Sequence, residues 1–156
     1  MIDDKLTAVE RSLPPSTDPP SPNRRSCVQV GNILYLSGHG ARLPDLPGVK
    51  HRGKVGADVS EQEAYQTARA VALTMLSTIK RHAGSLDRVD QVIRLLVLVN
   101  AAPGFIRASA VADGASDLFY ELWGAERGRH ARTAFGVAEL TNMMAVEIQG
   151  EFALKQ

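Results

Sequence analysis

The 156-residue chain is expected to form an α+β fold, two helices layered on one face of a single sheet. Three features predict it. A tight-turn dipeptide, Gly31-Asn32, sits between two short apolar runs. Two long segments, near 60–84 and 105–124, carry apolar residues at helical spacing. The C-terminal run alternates with period two: Val146, Ile148, Gly150, Phe152 and Leu154 fall on one side, Glu147, Gln149 and Glu151 on the other.

In chain order, Leu6, Val9 and Leu13 at helical spacing predict a short helix over 3–13, ended by Pro14 and Pro15. The stretch from Pro14 to Pro22 is rich in proline and serine and reads as an extended linker or surface arm. Residues 1–21 are therefore set apart from a single domain over 22–156. Cys27–Val30 and Ile33–Leu36 read as paired strands. Residues 40–58 read as a loop, with room for a short strand near Val55.

Ser60 opens the clearest helix, because Glu63 three residues on completes a capping box. Ala64, Ala68, Val71, Ala72, Met75 and Ile79 make its apolar stripe, and Gly84 is a natural stop. Val92–Val99 is apolar except for Arg94 and too short for an amphipathic helix, so it reads as a strand covered on both faces. Phe105, Ala108, Ala112, Ala115, Phe119 and Leu122 step by threes and fours into a second helix that Gly124 ends. Gly114 costs that helix about 1 kcal/mol and marks a place for a bend. The two helices cover one sheet face, and no segment remains to cover the other, so self-association is expected.

His130–Phe135 reads as a strand forming a hairpin with the last one, turning near Thr141-Asn142. That pairing can bring Arg132 near Glu147, fifteen positions later. Arginine grips a carboxylate through two parallel hydrogen bonds, and a nearby glutamate orients or deprotonates water. The alternative from spacing alone is a solvated cross-strand ion pair, worth little.

These segments resemble the Rid superfamily, also called the YjgF or L-PSP endoribonuclease family. Ala131-Arg132-Thr133 and the apolar-Glu-apolar strand around Glu147 match its C-terminal signature, and Val28–His39 resembles its opening hairpin ending in Ser-Gly. The resemblance spans roughly residues 22–154. Gly114-Ala115-Ser116-Asp117 and Gly128–Arg132 are similar to a less characterised branch. It implies a chorismate-mutase-like fold with a mixed sheet, assembled as a homotrimer with clefts between subunits. It also implies that Arg132 holds a substrate carboxylate, that Glu147 handles water, and that Ser37, Gly38 and His39 seat the ligand. Arg24 stands where that family's pocket tyrosine would be, Ala134 where many members carry cysteine, and Asp113 near a frequent asparagine. Arg24 then either enters the cleft, adding positive charge or pairing with Asp113, or belongs to a solvated arm.

Composition narrows the function. Eighteen basic and 17 acidic residues leave a net charge of +1, which argues against a nucleic-acid partner. Cys27 is the single cysteine, so no intrachain disulfide forms, and in a strand it reads as a small buried apolar residue. Asp3 and Asp4 replace the basic start of a signal peptide, and no run approaches a membrane span, so a cytoplasmic location is expected. The histidines, His39, His51, His82 and His130, show no metal-ligand spacing, and no metal or cofactor is expected. Ser37 and His39, two apart on one strand face, could mimic a nucleophile and base, but no third member is visible.

The resemblance therefore implies hydrolytic deamination of small enamine or imine intermediates to carbonyl compounds and ammonia. The ligand would be a carboxylate-bearing imine or keto acid. The alternatives are a non-catalytic carboxylate-binding regulatory trimer and a ribonuclease, an activity attributed to some relatives.

Overall fold

A computed structural model describes residues 2–41 and 50–156, with side chains from residue 4 onward. The order is α1 (Ile2–Ser12), β1 (Cys27–Val30), β2 (Ile33–His39), α2 (Glu61–Ala83), β3 (Val89–Asn100), α3 (Ala108–Arg127), β4 (Ala131–Val137) and β5 (Val146–Leu154). Part of the expected 40–58 loop lies outside the described residues. Beyond it, Val55 makes isolated bridges to Val59 and Ala101 in place of a strand.

The capping box forms as the sequence requires. Glu63 N donates to Ser60 Oγ at 3.1 Å, and Ser60 N donates to the Glu63 carboxylate at 2.9 Å. The apolar stripe of α2 is fully buried. In α3, Gly114 produces no bend. A methyl group there would collide with the Tyr65 carbonyl of α2, so this glycine lets the two helices approach. The break comes at Gly124, whose φ of 72° interrupts α3 before its last turn.

The five strands form one mixed sheet in the order β1-β2-β5-β3-β4. All neighbours are antiparallel except β3 and β4, which run parallel. This corrects the expected C-terminal hairpin: β3 lies between β4 and β5. The chain leaves β3, crosses through α3 and returns beside it, the usual route between parallel neighbours.

α2 and α3 cover one sheet face. Leu34, Val92, Leu95, Val97, Ile148 and Phe152 are completely buried beneath them. Phe119 packs edge-on against Phe152 with ring centroids 5.6 Å apart. The other face is open. Val28, Tyr35 and Phe135 are each about half exposed there (49%, 46% and 45%), so β3 is covered on one side only within a single chain. Such an apolar face marks an interaction surface.

The N-terminal segment is bound to the domain. Leu6 joins the core, and Glu10 accepts a hydrogen bond from Leu86 N at 2.7 Å. Further on, the Asp18 carboxylate accepts from Ser26 N at 3.1 Å, Ser26 Oγ at 2.7 Å and Arg81 Nη2 at 2.9 Å. These bonds, led by Arg81, hold its pKa far below the usual carboxylate range. Residues 14–26 are thus strapped across the end of α2.

Candidate functional site

Glu147 is the second residue of β5, and its neighbours Val146 and Ile148 are buried under the helices. Strand alternation therefore sends its side chain to the open face. The carboxylate lies against Gly38 of β2, where a Cβ would come 2.5 Å from Oε1. Only glycine allows that approach. Glu147 makes no hydrogen bond or ion pair with the described residues.

Gly38 and Glu147 floor a cleft of about 280 Å³ walled by Ser26, Ser37, Arg24 and Arg25. Arg24 is exposed and lines this cleft. His39 lines it too, although it is only 6% exposed. Its Nδ1 lies 2.6 Å from the Ser37 carbonyl and its Nε2 2.9 Å from Thr78 Oγ1 of α2.

The nucleophile-and-base geometry of Ser37 and His39 does not form. The pairing of β2 with β5 shifts register between Leu36 and His39, so the two residues no longer share a face. His39 turns in toward α2, whereas Ser37 is exposed and its Oγ donates to the Ser26 carbonyl at 3.2 Å. Cys27, behind this wall, is buried, and burial pushes its thiol pKa up to about 11, so it is a poor nucleophile.

Arg132 occupies different ground. It lies opposite Leu95 of β3, on the helix-covered face, whereas Glu147 lies opposite Leu98 on the open one. A whole strand separates them, roughly 10 Å across the sheet. Within one chain they are not brought together, which corrects the expectation that a hairpin joins them.

Three residues of α3 cage the Arg132 guanidinium. Nη1 donates to Asp113 Oδ1 at 2.8 Å and to Ser116 Oγ at 3.0 Å; Nη2 donates to Ser109 Oγ at 2.8 Å. Asp113 therefore pairs with Arg132 and not with Arg24. His130 completes the cage from behind. Its Nδ1–H donates to the Gly128 carbonyl at 2.7 Å, which leaves Nε2 to accept from Ser116 Oγ at 2.9 Å. Burial lowers the His130 pKa, against the pull of the Gly128 carbonyl and with help from the Arg132 charge. The imidazole is thereby kept neutral and able to accept. The surface beside this cage is a shallow depression of about 640 Å³ that includes Tyr120 and Arg129.

Sequence reasoning missed Ser109, Ser116 and His130 as supports, and Arg25 as a cleft residue. One signal was present: Ser109, Asp113 and Ser116 are spaced by four and three, a polar stripe on an otherwise apolar helix. Nothing local announced that this stripe would face Arg132, because the contact depends on α3 crossing over the parallel β3–β4 pair.

Among the described residues, no group of three histidine, cysteine or acidic side chains is placed to hold a metal ion. No helix among them is long and apolar enough to cross a membrane.

Known proteins share this architecture. The family described as "YjgF/chorismate mutase-like, putative endoribonuclease" matches residues 7–150. Protein TCP17 of Trypanosoma cruzi is 43% identical over 136 residues, covering 86% of this chain and 82% of its own. A crystal structure of a protein of unknown function from Agrobacterium tumefaciens superposes with a TM-score of 0.83 at 30% identity, covering 99% of this chain and 94% of that one. A "putative endoribonuclease" from Shewanella oneidensis superposes with a TM-score of 0.86 at 27% identity, covering 99% of both chains. Fold and these matches agree, and the chain belongs to the YjgF/chorismate-mutase-like family, the Rid superfamily.

Proposed function

We propose that this protein hydrolyses small carboxylate-bearing imines or enamines to the carbonyl compound and ammonia, in clefts between the subunits of a homotrimer. The observation that carries the reading is the Glu147 carboxylate, partly buried and pressed over Gly38, with no hydrogen-bond or ion-pair partner among the described residues. A base in that state suits water activation.

The chemistry needs no redox step. Glu147 takes a proton from water as the oxygen bonds to the imine carbon. Glu147 returns that proton to the nitrogen, which gives the neutral carbinolamine, and then passes the hydroxyl proton to the same nitrogen, which leaves as ammonia as the carbonyl forms. Water and imine are consumed, ammonia and carbonyl are released, and the carboxylate is regenerated. Arg132 from a neighbouring subunit would hold the substrate carboxylate, since within one chain it lies on the wrong face. The open sheet face with Val28, Tyr35 and Phe135 supports the assembly, because a second copy would bury it.

Four measurements test this. Ammonia release from imines made in situ by an amino-acid oxidase should accelerate with the protein present and fall about a hundredfold in Glu147→Gln, the usual scale of a lost acid-base group. Affinity for an unreactive keto acid should be nearly unchanged in that variant. Wild-type turnover in Glu147→Gln would show the residue to be structural. Analytical ultracentrifugation should give a trimer, and a monomer at micromolar concentration contradicts the intersubunit site. If RNA were cleaved instead, with loss in Arg132→Ala, the ribonuclease reading would replace this one.

A further inference from the structure

We infer that the Glu147 cleft binds ligands bearing a second anionic group, seated on Arg24 and Arg25. The inference rests on the reading above for the location of the reaction, but its argument is separate.

The charges are distributed unevenly between the Arg132 cage and the Glu147 cleft. The Arg132 cation is 2.8 Å from the Asp113 carboxylate, and its terminal nitrogens also serve two serines. That cage offers directed hydrogen bonds with little net charge. Arg24 and Arg25 are the reverse case. Both are exposed on the cleft, and neither makes an ion pair or hydrogen bond with any described residue. Two adjacent guanidiniums with no acceptor among the described residues repel each other, and an anion between them relieves the repulsion while accepting several charge-assisted hydrogen bonds.

Their placement is fixed by the chain itself. Asp18 accepts from both the backbone and the hydroxyl of Ser26, so residues 18–26 form a loop tied at its ends. Arg81 clamps the same knot by donating to Asp18 and to Ser26 Oγ at 2.7 Å. Pro19, Pro20 and Pro22 stiffen the loop, which lowers the entropy lost when it binds. Pro19 and Pro20 line the cleft with the two arginines. The arginines therefore belong to a closed, preorganised rim above Glu147. A ligand with one anion directed to Arg132 of a neighbour and its reacting carbon above Glu147 would present its distal end to this rim.

The test is calorimetry on the whole protein with 2-oxobutyrate, a monoanion, and 2-oxoglutarate, a dianion. The double variant Arg24→Gln/Arg25→Gln is the comparison; both residues are exposed and without a partner among the described residues, and its thermal midpoint checks that the fold is kept. The wild type should prefer the dianion by about tenfold or more, the scale of one charge-assisted contact. The variant should lose that preference while its monoanion affinity changes by less than about twofold. Equal wild-type affinities, a preference that survives in the variant, or an equal loss for both ligands each overturns the inference. Ammonia release is read in parallel. A dianion preference abolished by the double variant, without any imine turnover, leaves the anion seat standing and removes the deaminase reading. Turnover without any dianion preference does the opposite.

Discussion

The Glu147 carboxylate fills the space that a side chain on Gly38 would need: a β-carbon there would sit 2.5 Å from Oε1. The obstructing atom is the end of a flexible side chain, so Gly38→Ala should fold and push Glu147 aside. Turnover of an imine should drop at least tenfold, because a base displaced by an ångström loses its aligned water. Steady-state kinetics on Gly38→Ala beside its thermal midpoint checks this, and unaltered turnover would place the reaction elsewhere.

Asp113 holds Arg132 at the cost of its charge. In Asp113→Asn the hydrogen bond at Oδ1 can persist while the negative charge goes. Carboxylate affinity should then rise severalfold at low salt, with the gain shrinking as salt is added. Arg132→Lys keeps a cation but cannot serve Asp113, Ser116 and Ser109 together, so it should not recover wild-type affinity. Calorimetric titration of a keto acid at two salt concentrations reads both effects.

Gly114 separates helix propensity from packing. At an exposed helical site, glycine to alanine stabilises by about 1 kcal/mol. Here the new methyl meets the Tyr65 carbonyl, and moving a backbone is costly. Gly114→Ala should destabilise by about 1–3 kcal/mol. Urea denaturation would show a lower midpoint, and a higher one would mean that α2 and α3 have room to part.

His130 gives stability a pH dependence of known sign. Its folded-state pKa lies below the ordinary 6.5, chiefly through burial. Between those two values the unfolded chain binds more protons than the native one, so stability rises with pH. The contribution is complete above about pH 6.5 and is lost as pH falls through the lower folded value. Thermal midpoints of the wild type should therefore fall more between pH 7.5 and 5 than those of His130→Gln. Parallel curves would assign the acid sensitivity to other groups.

The sequence by itself determined the elements. The Ser60 and Glu63 capping box, the alanine-rich stripe of α2, the Gly31-Asn32 turn and the alternation of β5 are local patterns, and each is fixed by the period of its own segment. The β5 alternation also assigned Glu147 to the uncovered face. The partners of each strand were decided only by tertiary structure. A period of two says which residues share a face of one strand; it does not say which strand lies alongside. Once α3 carries the chain over the sheet, β4 pairs parallel with β3, and β3 separates it from β5. That one choice places Arg132 beneath the helices with Asp113 and Glu147 on the opposite face with Gly38. The register shift between Leu36 and His39 acts in the same way, turning His39 inward to Thr78 and leaving Ser37 outside. Both outcomes depend on contacts between residues far apart in sequence, and the energy that selects them, burial of one continuous core, is a property of the assembled layers and of no single segment.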